Sequence, residues 1–352
     1  MSDRNLDPPE TPPVDMDLAS VRRELHLSAD AVTWLEQIDR PVASLGPELP
    51  DDAVAAHQLE RLGVDEVDRS ETLAARPDPD THPALWWVLD RAHHALLAIM
   101  GKAVPIEGHS GWPVRFSPET GLVGRYLPVW MYLATIPDVR RYHAARGIPD
   151  EVSWSSLSTG LVAVMEKHRS VTGFGGIGLF GFGTSALLHF RGAQYRLGQL
   201  EFTRGAISLS DGPCGYALSV HIPPVRPLSP TLCDEAFAQA SEFFSRHFPE
   251  EPVTFFTCES WLLDPQLADY LPETSNIIQF QRRFHLLPVH SEAEPPQADG
   301  DVAEYVFGRS HRDLDDYPQE TTLQRAYVAH LRSGGHWHER TGWMPSSYVT
   351  NR

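Results

Sequence analysis

The chain has 352 residues, of which 41% are hydrophobic and 22% charged, and its formal net charge is -18. A single hydrophobic core rarely grows past about 250 to 300 residues, so this length predicts two domains. The acidic balance excludes nonspecific nucleic-acid binding, which needs clustered Lys and Arg. Apolar runs fall short of the roughly 18 residues of a membrane span, and the start lacks the features of a secretory signal. We therefore expect a cytoplasmic protein without contact to membranes.

The negative charge is concentrated in three segments. Residues 1–17 hold five acidic and one basic residue, 64–80 hold six and two, and 291–301 hold four and none. The first segment is rich in Pro and Asp and predicts a disordered tail over 1–17. Because the rest of the chain is only mildly acidic, an anionic ligand stays compatible with it.

Cysteine and histidine spacing gives no sign of a structural metal. Cys214, Cys233 and Cys258 are odd in number and have no CxxC spacing, which argues against a disulfide framework or a zinc site. His336 and His338 have a ligand-like spacing but no third ligand nearby. We expect reduced thiols and no metal cofactor.

The first half of the chain is predicted to be an all-helical N-terminal domain over 18–150. Apolar residues recur at spacings of three and four, with Pro and Gly between the segments. The predicted helices cover 28–39, 52–63, 82–101, 120–135 and 137–146.

The second half, 151–345, predicts a mixed sheet. After a helix over 155–169, strand-like and helix-like segments alternate, which is typical of an α/β or α+β domain. The predicted strands are 195–204, 215–222, 253–263, 275–289 and 303–309, and the predicted helices are 231–248, 264–271 and 320–335.

Five ordered motifs carry a resemblance to a known family. They are YRLGQLEF (195–202), HIPP (221–224), CESWLLDPQL (258–267), SNIIQFQRRF (275–284) and TTLQRA (321–326). With the order of elements, they resemble the GNAT-like C-terminal domain of two-domain bacterial acyltransferase-related proteins, which have a helical N-terminal domain. The resemblance implies transfer of an acyl group from a thioester to the amine or hydroxyl of a small-molecule acceptor. Acyl-CoA is the implied co-substrate, with a phosphopantetheine thioester on an acyl carrier protein as the alternative.

The corner within 217–237 departs from the usual coenzyme A loop of the GNAT fold. That loop reads Arg/Gln-x-x-Gly-x-Gly/Ala and presents backbone N–H groups to a pyrophosphate, whereas this corner has no glycine between its strand and its helix and carries four prolines. Arg226 and Ser229 are the candidate phosphate-binding residues. A capping-box-like pair of Thr231 and Asp234 would instead satisfy the helix donors internally.

Candidate catalytic residues lie at the ends of two predicted strands. If these strands are neighbours, His221 is placed as a general base and Ser260 as the group that assists the leaving thiolate, with Glu201 as a second base. The alternative without a catalytic role is that His221 is a polar residue at the strand end, hydrogen-bonded to the backbone. Asn276 either binds a substrate amide or caps the entry of the predicted strand, and Cys258 is either an acyl acceptor or a small buried residue.

Two further alternatives concern function. The proline-rich corner is also compatible with a catalytically silent GNAT-like module that binds an acyl carrier or a partner protein. The glycine-rich run GFGGIGLFGFG (173–183) contains a dinucleotide-like spacing, but a helix precedes it where the fingerprint needs a strand. A close-packed or mobile loop is the favoured interpretation of the run.

Overall fold

A computed structural model of the chain describes residues 16–38, 46–105, 112–207, 215–223, 228–288, 297–308 and 313–348. The chain divides into two compact units. The first comprises Met1–Met100, Gly111–Val139 and Gly160–Phe190, and the second comprises Gly101–Ser110, Arg140–Thr159 and Arg191–Arg352, as far as these are described. The division of the chain near residue 150 into two domains stays a prediction, as does the tail over 1–17, which lies outside the described residues up to residue 15.

The first unit is built from helices with well-defined starts. Asp17, Ser28, Asp51 and Asp65 each accept a hydrogen bond from the backbone N–H three residues further on, which satisfies a helix donor that would otherwise be unpaired. The helices described up to the sheet are α1 (Leu18–Leu25), α2 (Ala29–Glu36), α3 (Asp52–Arg61), α4 (Glu66–Ala74), α5 (Pro83–Ala98), α6 (Gly121–Ala145), α7 (Asp150–Thr172) and α8 (Ala186–Phe190).

Helix α6 corrects the prediction of separate helices over 120–135 and 137–146. It is one helix that contains Pro128 and Pro137 in its interior. A proline removes one intrahelical hydrogen bond, but the side chains around these positions are fully buried, Trp130 and Val139 among them. Burial of these side chains outweighs the lost hydrogen bond, so the prediction that the prolines end a helix here was wrong.

The second unit contains a mixed sheet, which confirms the predicted α/β class. Among the described residues the strand order is β1-β3-β4-β5-β7-β6, with β2 paired to β3; β4 and β5 are parallel, while β3–β4, β5–β7 and β6–β7 are antiparallel. Its elements are β1 (Val104–Pro105), β2 (Gln194–Leu197), β3 (Leu200–Ile207), β4 (Gly215–His221), α9 (Pro230–His247), β5 (Val253–Ser260), α10 (Asn276–Gln281), β6 (His285–Leu286), α11 (Asp299–Phe307), α12 (Thr322–Arg332) and β7 (Arg340–Pro345).

Helix α9 covers one face of this sheet. Phe237 on the helix makes edge contacts with Phe202 of β3 and Phe256 of β5, with ring centroids 5.8 and 5.1 Å apart. Leu218 and Val220 of β4 belong to the same buried cluster. A second buried cluster gathers α11, α12 and the 3-10 helices of Trp261–Leu263 and Pro265–Asp269 around Trp337. One face of the sheet is therefore apolar from β3 to β5.

Several predicted elements differ in the structure. The segment 195–204 is a hairpin, because Gly198 adopts a positive φ of 60° in the turn between β2 and β3. The segment 275–289 begins as helix α10, because the Ser275 hydroxyl accepts from the Ile278 N–H. In the segment 303–309, residues 303–307 form the end of helix α11, which starts at Asp299. β7 was not predicted, whereas the strand over 215–222 and the helices over 231–248 and 320–335 are confirmed.

Arg204 joins three parts of the second unit. Its buried guanidinium forms an ion pair with Glu251, donates to the Tyr142 hydroxyl at 3.2 Å and to the Gly192 carbonyl at 3.0 Å, and lies 4.0 Å from the centroid of the Phe248 ring. Burial disfavours the charged guanidinium, but the hydrogen bonds with Glu251, together with charge interactions with Tyr142, Glu251 and Tyr195, outweigh it and raise the pKa of Arg204. The positive charge of Arg204 is thus compensated by hydrogen bonds and an ion pair within the second unit.

Replacing Arg204 by Met should destabilise the protein by about 3 to 5 kcal/mol, because the carboxylate of Glu251 is left buried without its partner. Urea denaturation measures the change in free energy of unfolding. Arg282→Met is the matched control: its ion pair with Glu273 is exposed on both sides, and its loss should cost below about 1 kcal/mol. Equal effects of the two substitutions would contradict this account.

His143 is a buried neutral histidine. It is 1% exposed and its Nδ1 lies 2.8 Å from the Ser153 hydroxyl. Burial, with a smaller contribution from the Arg140 charge, lowers the pKa of His143 from 6.5 to about 3. The unfolded chain therefore binds a proton below pH 6.5 that the folded chain does not bind until pH approaches 3.

Stability should consequently fall as pH drops from 6.5 toward 3, with a contribution from His143 of up to about 1.4 kcal/mol per pH unit. His143→Asn retains a donor toward Ser153 but cannot titrate, so its stability should depend less steeply on pH in this window. His57→Asn, at an exposed position of α3, is the control. Denaturant unfolding from pH 7.5 to pH 4.5 checks the slopes, and identical slopes for wild type and His143→Asn would overturn the assignment.

Candidate active site

The sheet face opposite α9 is polar across three strands. Register pairs Glu201 with His221 and Thr203 with Ser219 between β3 and β4, and Ser219 with Thr257 between β4 and β5. Since paired residues point to the same side and alternate residues share a face, these side chains form one row. The hydroxyls of Ser219 and Thr257 lie 3.2 Å apart. We call this set, with Gln194 of β2, the polar row.

The two central strands of the sheet stop pairing before they end. The last paired residues of β4 and β5 are Ser219 and Thr257, although within the described chain β4 continues to His221 and β5 to Ser260. Both strands stay paired to their outer neighbours, with His221 opposite Glu201 and Ser260 opposite Arg340. The sheet therefore opens between β4 and β5 beyond Ser219 and Thr257, at the end that carries His221.

His221 stands at this opening and is joined to the buried part of the polar row. Its Nε2 lies 3.0 Å from the Thr203 hydroxyl, which donates to Gln194 Oε1 at 2.8 Å. Gln194 in turn donates from Nε2 to Glu201 Oε2 at 2.7 Å. Gln194, Glu201 and Thr203 are buried, whereas His221 is exposed. The arrangement provides a solvent-facing imidazole on a rigid, buried support.

The structure brings His221 and Glu201 together, but not Ser260. The strands that carry His221 and Ser260 are neighbours, which meets the condition set for their roles. However, Ser260 shares its face with Phe256 and Cys258 on the α9 side, and its hydroxyl accepts from the Leu262 N–H at 3.1 Å. This bond caps the following 3-10 helix. The role of Ser260 in assisting the leaving group stays a prediction.

The candidate phosphate-binding residues are only partly described. Arg226 lies outside the described residues, as do its neighbours in 224–227. Ser229 is the N-cap of α9 and its side chain makes no capping hydrogen bond there. Asn276 is the exposed first residue of α10, where Ser275 rather than Asn276 is the cap. Binding of substrate by Asn276 stays a prediction.

The predicted capping box of Thr231 and Asp234 is wrong, because Ser229 rather than Thr231 is the N-cap of α9. Asp234 accepts from Nε and Nη2 of Arg283, at 3.0 and 2.8 Å, and Arg283 also donates to the carbonyl of Pro230. Arg283 is 5% exposed, so its ion pair with Asp234 is partly buried. Among the described residues, the side chain of the N-cap Ser229 makes no capping hydrogen bond, and the N-terminus of a helix favours an anion.

Acidic side chains surround the open end of β5. Glu259 follows Thr257 on the polar face, and its cross-strand partner is Thr341. Burial, then the charges of Glu259 and Asp301, raise the pKa of Glu339 above its usual value. Burial also raises the pKa of the Cys258 thiol to about 12, which leaves it protonated at neutral pH. Cys258 is thus suited to packing rather than to covalent acyl transfer.

The glycine run 173–183 is a close-packed loop in the first unit. A helix, α7, precedes it, and Gly176 and Gly181 have positive φ. A Cβ on Gly178 would lie 2.1 Å from the Gly124 carbonyl oxygen, and one on Gly175 would lie 2.3 Å from the Tyr126 hydroxyl. The glycines allow the loop to approach α6, which accounts for the run without a nucleotide.

Gly178→Ala should destabilise the protein by about 2 kcal/mol or more, because the methyl group has no space against the backbone of α6. Gly300→Ala is the matched control, since a Cβ on this helical glycine meets nothing within 4 Å. The control should stabilise by about 0.5 to 1 kcal/mol through helix propensity. Thermal and urea unfolding compare the two variants, and a neutral Gly178→Ala would contradict the packing described.

Metal ligation has no candidate cluster in the described part of the chain, where no group of three or more His, Cys, Asp or Glu is positioned to hold an ion. His336 instead pairs with Asp299 at 2.7 Å, and the His338 ring lies 3.2 Å from Gln266 Nε2. Likewise, none of the helices in the described ranges is long and apolar enough to cross a membrane.

Comparison with known proteins identifies the family. Residues 194–344 match the GNAT-like C-terminal domain, and residues 53–181 match the N-acyltransferase N-terminal domain. An acyltransferase solved in complex with decanoyl-CoA and teicoplanin is 40% identical over 94% of this chain and 99% of its own, with a TM-score of 0.81. The chain belongs to this family of two-domain acyltransferases. A mutant acyltransferase in complex with octanoyl-CoA is also 40% identical, with the same coverage and a TM-score of 0.80.

A further acyltransferase structure, in complex with CoA and 10C-Teicoplanin, is 39% identical with a TM-score of 0.82. No curated protein matched the chain. The expected chemistry, transfer of an acyl group from a thioester with acyl-CoA as co-substrate, is confirmed at the level of this family.

The sequence analysis missed Thr203 and Gln194, the residues that support His221. Their pairing across β2 and β3 can be recognised only once the turn at Gly198 is known.

Proposed function

We propose that this acyltransferase moves a medium-chain acyl group from coenzyme A to the amine of a glycopeptide-like small molecule, with His221 as general base. The opening between β4 and β5 beside His221 carries the proposal. An extended amide-containing chain, such as the pantetheine arm of coenzyme A, can pair with the backbone edges that the diverging strands leave. The thioester at its end would then lie near the His221 ring.

The donor is supported by the start of α9 and by the relatives. The N-terminus of a long helix favours phosphate, the N-cap Ser229 makes no capping hydrogen bond there, and the pairing of Asp234 with Arg283 neutralises the carboxylate that would repel an anion. Ser229 and Arg226 stay candidate phosphate-binding residues. The structural relatives hold octanoyl-CoA, decanoyl-CoA or CoA, which favours coenzyme A over an acyl carrier protein as donor.

The acceptor is supported by charge at the same end of the sheet. Glu259 on the polar face, together with Glu339, gives a negative rim that favours a cationic amine over a neutral hydroxyl. The family description names N-acyltransferases, and two of the relatives were solved with teicoplanin or 10C-Teicoplanin. Location in the cytoplasm stays part of the proposal.

In the proposed reaction, the acceptor binds as an ammonium cation and releases one proton to solvent, and the neutral amine then attacks the thioester carbonyl carbon and forms the new C–N bond. His221 takes a proton from the attacking nitrogen. The tetrahedral intermediate collapses with cleavage of the C–S bond, and the imidazolium can pass the same proton to the departing thiolate. Amide and free CoA thiol are the products, and His221 returns to its starting state.

His221→Asn should lower kcat by about 100-fold or more, because general-base catalysis typically contributes 10²- to 10⁴-fold. Release of CoA thiol from decanoyl-CoA, with a derivative of teicoplanin that carries a free primary amine as acceptor, measures turnover. Calorimetric titration should show that the variant still binds decanoyl-CoA, because the imidazole is not needed for the pantetheine or phosphate contacts.

Ser260→Ala is the matched comparison, since its hydroxyl lies on the opposite face and caps a 3-10 helix. We expect it to retain kcat within about threefold, as removal of a proton donor would cost far more. Full turnover by His221→Asn would exclude the base role. Failure of the wild type to bind any acyl-CoA or release thiol would favour a carrier-protein donor or a catalytically silent module.

A further inference from the structure

The hydrogen bonds behind His221 have only one consistent arrangement of protons. Gln194 Nε2 lies 2.7 Å from Glu201 Oε2, and an amide nitrogen only donates, so this contact is a hydrogen bond from Gln194 to Glu201. This contact fixes the orientation of the Gln194 side-chain amide. Its carbonyl oxygen, Oε1, is consequently directed at the Thr203 hydroxyl, 2.8 Å away.

The hydroxyl of Thr203 has a single proton. Because Gln194 Oε1 can only accept, this proton is donated to it, and the Thr203 oxygen is left as an acceptor. The remaining neighbour is His221 Nε2, at 3.0 Å, which must then carry hydrogen. His221 Nε2–H therefore donates to the Thr203 hydroxyl oxygen, the Thr203 hydroxyl donates to Gln194 Oε1, and the Gln194 amide donates to Glu201.

We infer that Gln194 and Thr203 are positioning residues that hold neutral His221 as the Nε2–H tautomer, so that Nδ1 is the nitrogen that accepts the acceptor's proton. Three features support this role. Gln194, Glu201 and Thr203 are at least 93% buried and lie on paired strands, so their geometry is rigid. An apolar side chain at any of these positions would need no such hydrogen bonds, so folding alone does not require polar residues there. They meet the imidazole at the point where the sheet opens.

The inference rests on the proposed function only for its effect on turnover, because the tautomer of His221 is a property of the free protein. Long-range ¹H–¹⁵N correlation spectra of the full chain labelled at histidine distinguish the protonated from the unprotonated ring nitrogen. The His221→Asn spectrum assigns the His221 signals by their disappearance. Wild type at a pH where the ring is neutral should show protonated Nε2 and unprotonated Nδ1.

Thr203→Val removes the acceptor and should give a mixture of tautomers. Gln194→Met has the opposite effect on the same ring: the Thr203 proton, released from Gln194, turns toward Nε2 and shifts His221 to the Nδ1–H form. Thr203→Ser keeps the hydroxyl and should restore the wild-type signals. Thr254→Val, which loses an exposed hydroxyl bonded to the Tyr216 carbonyl elsewhere in the sheet, is the control and should leave them unchanged.

Turnover provides the second readout. Thr203→Val and Gln194→Met should lower kcat by about tenfold, with the KM for the amine within about twofold, as expected when a base is misoriented while the binding of substrate is unchanged. A wild-type Nδ1–H signal, or an unchanged tautomer in both variants, would overturn the inference even if His221 proves to be the base. If His221→Asn keeps full turnover, the base role fails, and the ¹⁵N spectra still decide the tautomer.

Discussion

The parallel pairing of β4 with β5, and its end at Ser219 and Thr257, is the constraint on which the candidate site depends. While the strands pair, their side chains alternate between an apolar face under α9 and the polar row. Once pairing ends, both strands are still held by their outer neighbours, β3 and β7. A ligand that completes the hydrogen bonding of the two inner edges is thereby placed beside His221.

Because side chains alternate along the strands, one face of the sheet packs in the core and the other carries the candidate site. Phe202, Leu218 and Phe256 remove apolar surface from water against α9, which provides much of the driving force for folding. Glu201, Thr203 and His221 are therefore left on a face whose composition can serve chemistry. The same alternation separates Ser260 from His221, although the two residues end neighbouring strands.

Sequence reasoning predicted the elements whose signal is local. The α9 helix and β4 have clear periodicity and were confirmed, as was the family, which five ordered motifs carried together. Elements decided by tertiary contacts were not predictable in this way. Helix α6 runs through two prolines because its side chains are buried, and α10 forms within a strand-like apolar stretch because Ser275 caps it and Gln281 donates to the carbonyls of Leu262 and Asp264.

The candidate site shows the same limit. His221 and Glu201 were predictable as polar residues at strand ends, but their partners Thr203 and Gln194 depend on the register of a hairpin that was read as one strand. Asp234 was assigned to the helix donors because it stands near the start of α9. Its actual partner, Arg283, is 49 residues further along the chain. No local pattern indicates a contact of this kind.

The polar row has a consequence for evolution of the protein. Burying Gln194, Glu201 and Thr203 beneath an exposed imidazole requires each hydrogen bond to be made, because an unmatched buried polar group costs free energy. Substitutions in this row are therefore coupled: a change at one position alters what its neighbour can donate or accept. We expect drift at these positions to occur as compensated pairs, whereas the residues on the α9 face can exchange among apolar types one at a time.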